Sequence, residues 1–169
     1  MRIRAAIAAA LTVAGAVSVL AACSPVVAMD PAEAAADPAC AAVTVRLPDE
    51  IAGFAKRETN AQATGAWGDP TVALLHCGIE TPAPTSDLPC VSVPSDAGAS
   101  VDWLVDDAED PVFKFTAYGR SPSVSVVVDY SKVSGTDVLE AIDQAVATLP
   151  QVGACVGIDD VVPTATPAP

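Results

Sequence analysis

Two hydrophobic periods run through the chain. "VDWLV" (101–105), "VFKFTAY" (112–118) and "VSVVVDY" (124–130) alternate with period 2. The first sets Val101, Trp103 and Val105 on one face, the second Phe113, Phe115 and Ala117, and the third Val124, Val126, Val128 and Tyr130. Alternation of this kind describes strands with one packed face and one wetter face. "TVALLHCGI" (71–79) is almost wholly apolar and bounded by Pro70 and Gly78, which marks a buried strand. Val91 and Val93 open a further short strand. The connectors "DDAEDP" (106–111) and "GRSP" (119–122) are short, so neighbouring strands should run antiparallel. The period changes at "TDVLEAIDQAVATLP" (136–150). There Val138, Leu139, Ile142, Ala145, Val146 and Leu149 fall three and four apart, an amphipathic helix stopped by Pro150. Asp137 and Glu140 have the spacing of a capping box, with Ser134 and Thr136 as other candidate caps. "ACAAVTVRL" (39–47) is read as a short helix and "PDEIAGFAKR" (48–57) as loop or a helical turn. The expected fold class is α+β: an antiparallel sheet of about four strands, the C-terminal helix and a short N-terminal helix packed on one face, and two disulfides.

The ends read differently. Arg2 and Arg4 precede an uncharged run, Ala5 to Leu20, and small residues follow, the plan of a secretory signal. That run is short for a membrane span, which needs roughly 20 residues. Leu20-Ala21-Ala22-Cys23 resembles the bacterial lipobox. The resemblance implies cleavage before Cys23 and a palmitate-type diacylglycerol on its sulfur, an anchor in which each buried methylene contributes about 0.8 kcal/mol. Residues 1–22 are thus the expected lipoprotein signal. Residues 23–39, rich in Pro, Ala and acids, are the expected lipidated cysteine and disordered tether, on which the domain would stand just off the membrane. Residues 40–156 are the expected single domain, and 157–169, which end in prolines, a loose tail.

Cysteine arithmetic supports export. Of five cysteines, Cys23 is the one the lipobox resemblance assigns to lipid, and Cys40, Cys77, Cys90 and Cys155 remain for two disulfides. Three pairings are possible, and the preferred one joins Cys77 to Cys90 and Cys40 to Cys155. No Cys-x-x-Cys pair is present and His76 is the single histidine, so neither a metal nor a cofactor is expected. Removal of residues 1–22 takes both arginines and no acid, leaving 6 basic against 21 acidic residues, a net charge of −15. Nucleic acid is a poor partner for such a chain, and an anionic lipid surface would repel it, so the anchor rather than charge must hold it at a membrane.

Few residues suggest chemistry. "AWGDP" (66–70) combines a large ring with a turn-forming Gly-Asp-Pro, so Trp67 and Asp69 are candidates for a ligand rim as well as for a structural turn. Trp103 and Arg120 are further candidates, Arg120 because a guanidinium makes bidentate contacts to carboxylates and phosphates. The alternative pairs Arg120 with one of the many nearby acids. His76 lies on an apolar strand without an evident nucleophile, and "DDAED" (106–110) lacks the spacing of a calcium loop.

"LPDEIAG", "AWGDPTVALLHCG", "VDWLV" and "FTAYGRSPSVSV", in this order over about Cys40 to Tyr130, resemble the actinobacterial family called domain of unknown function 3515. The resemblance implies an exported or lipid-anchored envelope protein and no particular activity. The family pattern carries Arg before Cys-Gly where this chain has His76, so a role needing imidazole is not implied. The function expected is a non-catalytic binding or scaffold module, lipid-anchored on the outer face of the cytoplasmic membrane. It would engage an envelope protein or glycan near Trp67, Trp103 and Arg120. The rivals are an envelope enzyme or enzyme subunit acting on a glycan or other envelope substrate with Asp69, Asp102 and His76, and a small solute-binding lipoprotein.

Overall fold

The computed structural model describes residues 25–94 and 100–157. The expected signal (1–22), the lipidated Cys23 and the tail beyond Gly157 lie outside the described residues.

Helix α1 (Pro38–Thr44) starts where Asp37 accepts a hydrogen bond from the Ala39 amide at 2.8 Å, with Pro38 opening the first turn. Strands β1 (Glu50–Ile51), β2 (Phe54–Arg57), β3 (Thr64–Trp67) and β4 (Ala73–Ile79) follow. Then come β5 (Cys90–Pro94), β6 (Ser100–Glu109), β7 (Val112–Tyr118), β8 (Ser123–Asp129) and α2 (Gly135–Val146). Ser134 stands at the start of α2 without a side-chain capping bond.

The four-strand expectation is corrected: the sheet has eight antiparallel strands in the order β1-β2-β3-β4-β8-β7-β6-β5. The additional strands come from residues 50–67. β1 is two residues long, and in β3 all of Thr64, Gly65, Ala66 and Trp67 are buried. A strand covered on both faces has no alternation to detect.

Flat, eight strands would span about 34 Å at ~4.8 Å per step. Helix α2, with 12 residues, is only about 18 Å long at 1.5 Å per residue. Yet α2 touches both edge strands, β1 and β5, as well as β6 and β8. The sheet therefore curls around the helix. Its inner face carries Trp67, Leu75, Val101, Trp103, Phe115, Val124, Val126 and Val128. These close on Cys40 and Val43 of α1 and on Val138, Leu139, Ile142, Ala145 and Val146 of α2.

The disulfides are Cys40–Cys77 and Cys90–Cys155, not the preferred Cys77–Cys90 and Cys40–Cys155. α1 packs against β4, which puts Cys40 beside Cys77 in the core. Cys155 follows a C-terminal segment that returns past β7 to the edge strand bearing Cys90.

The expected tether is also corrected for residues 25–39. Val27 forms a parallel bridge with Thr59, its amide donating to the Glu58 carbonyl at 2.9 Å while the Asn60 amide donates to its own carbonyl at 3.3 Å. The Met29 amide donates to Asn60 Oδ1 at 2.7 Å, and the Ala34 amide to the Gly78 carbonyl at 2.9 Å. Composition alone suggested disorder, but main-chain hydrogen bonds hold this segment and need few large side chains.

Candidate functional site

The strings that looked most distinctive are spent on architecture. Trp67 is fully buried and its indole donates to the Pro48 carbonyl at 3.0 Å. Gly68 turns the chain with φ +87°. Asp69, exposed, lies 3.4 Å from an Arg57 nitrogen. Trp103 is equally buried. Three strands, β4, β8 and β7, separate Trp67 from Trp103, so the two rings share the core and form no common surface.

Arg120 is 6% exposed. Its guanidinium donates to the carbonyls of Leu149 at 2.9 Å, Ser100 at 3.0 Å and Ala147 at 3.3 Å. It ties the C-terminal end of α2 to the start of β6, and its charge complements the helix dipole there. The adjoining residues fasten residues 150–153. Gly119 accepts from the amides of Val152 at 2.7 Å and Gly153 at 3.2 Å, and the Ser121 amide donates to the Pro150 carbonyl at 3.1 Å. A Cβ on Gly119 would lie 2.1 Å from the Gly153 oxygen. Asp102 contributes as well, accepting from the Cys155 amide at 2.6 Å and from the Ser92 hydroxyl. Asp69 and Asp102 thus lie on different parts of the sheet, each with its own partner, and do not form a carboxylate pair.

The open surface lies on the other side of the sheet. Register places Asp106, Lys114, Val127, Leu74 and Ala66 in one row across five strands, and Leu104, Thr116, Ser125, His76 and Thr64 in another. The second row is largely closed: Leu104 is 3%, Ser125 6% and Thr64 8% exposed. His76 is half-buried. Burial lowers its pKa from the ordinary histidine value, with Lys114 adding to the shift and Asp30 opposing it.

The first row opens into two adjoining depressions. One, of about 260 Å³, is lined by Asp106, Glu109, Val112, Lys114 and Val127. The other, of about 190 Å³, is lined by Thr71, Val72, Ala73, Leu74, Val112, Val127 and Asp129. Val112 and Val127 belong to both, so the two form one surface with an apolar floor and a mostly acidic rim. Among the described residues, no three His, Cys, Asp or Glu side chains gather as metal ligands would. Sequence reading missed this surface because Val112 and Val127 are ordinary strand residues whose position next to Leu74 depends on the order of strands.

The strings that close the fold bear directly on kinship. A model of the family described as protein of unknown function (DUF3515) matches residues 3–153. The chain belongs to the DUF3515 family. The match extends beyond the 40–130 stretch of the distinctive strings and takes in the segments they fasten, 25–36 and 150–153. No curated protein and no solved structure matches the chain. Two disulfides place this DUF3515 protein in an oxidising, extracytoplasmic setting. Among the described residues, no helix is long and apolar enough to cross a membrane.

Proposed function

We propose that the protein is a non-catalytic binding or scaffold module of the cell envelope, anchored through lipid on Cys23 at the outer face of the cytoplasmic membrane. Its contact surface is the outer sheet face around Val112 and Val127. The observation that carries this reading is the apolar floor of Leu74, Val112 and Val127 beside Asp106, Glu109 and Asp129. Both depressions lie open on the sheet face and do not enclose a ligand as small-molecule pockets do. The surface therefore suits a segment of a larger envelope component better than a free solute, and the acidic rim favours one that carries positive charge. The lipobox-like Leu20-Ala21-Ala22-Cys23 and the disulfides support the location.

A photocrosslinking side chain at Val127, in the full-length protein in its own membranes, should yield a discrete adduct. The same group at Val91, on the far edge strand, should yield none. Glu109→Lys should weaken the Val127 adduct several-fold. No adduct at Val127, or the same adducts at both positions, would contradict the surface.

A further inference from the structure

The domain starts almost as soon as the expected anchor ends. Arg57 donates to the Pro25 carbonyl at 2.6 Å and to the Gly68 carbonyl at 2.9 Å, which pins Pro25 to the edge of the sheet beside the β3–β4 turn. Val27 is bridged to Thr59 two residues later. Only Ser24 stands between Cys23 and Pro25. Two residues reach at most about 7 Å, far less than a tether would allow. The anchor's reach therefore ends at this edge.

The chemistry of the edge agrees. Between pinned Pro25 and Val27, the Val26 side chain is 56% exposed. The hairpin of β1 and β2 beside it presents Ala52, Gly53 and Ala55 to solvent, with Phe54 half-buried. Residues 46–57 carry Arg46, Lys56 and Arg57, three of the six basic residues left after cleavage, against only Asp49 and Glu50. With Glu58 next in sequence and Arg57 beside Asp69, this stretch is close to neutral in a chain of net charge −15, and it lies where the lipid would emerge.

We infer that the β1–β2 edge is a membrane-seating surface: lipid on Cys23 holds it directly against the bilayer headgroups, with β5 and the disulfide-tied C-terminal segment turned away. This rests on the anchor proposed above. It replaces the picture of a domain moving on a disordered tether. It also fixes how the acidic domain meets a like-charged membrane, with a nearly neutral edge inward, where a Debye length of about 8 Å leaves local charges unscreened.

The test uses the full-length protein, purified without reductant and reconstituted in phosphatidylcholine vesicles that contain a nickel-chelating lipid. A nitroxide amino acid, which spares the cysteines, replaces Ala55 or, in a second sample, Val91. Headgroup-bound nickel should enhance relaxation of the Ala55 probe several-fold over the Val91 probe. A flexible Gly/Ser insert of about 16 residues between Ser24 and Pro25, averaging roughly 20–24 Å as a coil, should bring the Ala55 signal down to the Val91 level. Equal, weak enhancement at both positions in a protein whose intact mass shows diacylglycerol would overturn the seating and leave the anchor standing. An intact mass without lipid on Cys23 would overturn the anchor and the seating together.

Discussion

Replacing Arg120 with Met should cost about 3–5 kcal/mol of folding stability: a hydrogen bond from a charged donor is worth roughly 1.5–3 kcal/mol, and of the three lost here only the one to Leu149 is fully buried. Three carbonyls, of Ser100, Ala147 and Leu149, depend on this guanidinium. Methionine fills much of the volume and offers none of them a donor. With typical domains stable by only about 5–15 kcal/mol, the variant should unfold at a markedly lower urea concentration. Arg120→Lys should recover less than half of the loss. An ammonium is a single point of charge and does not span acceptors arranged around a planar fork. A loss below about 1 kcal/mol for the Met variant would mean that these carbonyls find other partners and that Arg120 does not clamp α2.

The second large effect is expected at Gly78. Its φ is +99°, and a Cβ built there would lie 2.4 Å from the Ala34 carbonyl carbon and 2.5 Å from the Ala35 nitrogen. Both are backbone atoms, so Gly78→Ala forces residues 34–35 away and breaks the bond from the Ala34 amide to the Gly78 carbonyl. Backbone strain of about 1–3 kcal/mol adds to that loss, for a total near 3 kcal/mol. Gly53 is the control. It also has positive φ, +86°, but nothing lies within 4 Å of an added Cβ. Gly53→Ala should therefore show strain alone, about 1 kcal/mol. Limited proteolysis of the oxidised proteins reads the difference: Gly78→Ala should be nicked within residues 25–36 and Gly53→Ala should not. Equal stability losses in the two variants would mean that the crossing at Gly78 is not a close contact.

These two positions show what could be read along the chain and what could not. In β6 and β8, outward residues such as Leu104 and Ser125 are buried as well as the inward ones, whereas β7 alternates because one face packs into the core and the other is more open, so pattern and structure agree there. The stripe of α2 is legible for the same reason. "TGAW" is silent because it is buried on both faces. Residues 25–36 misled because their cohesion lies mostly in hydrogen bonds to the main chain and in one missing side chain, that of Gly78, with only the small Ala35 entering the core. Arg120 announced a buried or binding cation, but only the fold shows that its partners are carbonyls instead of the many acids in the chain. Trp67 and Trp103 were candidates for a surface because aromatic rings serve binding and packing alike. Curling of the sheet around α2 settles them as packing.

Cys-Gly and Tyr-Gly-Arg-Ser-Pro hold residues 34–35 and 150–153 against the sheet. The most direct measurement is hydrogen exchange of the intact, disulfide-bonded full-length protein, resolved at the amides of Val27, Ala34 and Val152. These donate to Glu58, Gly78 and Gly119, respectively. Protection approaching that of the core strands is the predicted result, since exchange would require opening of a packed unit. Exchange at the rate of an unstructured chain at Val27 and Ala34 would return residues 25–36 to a loose tether and remove the basis for the membrane seat.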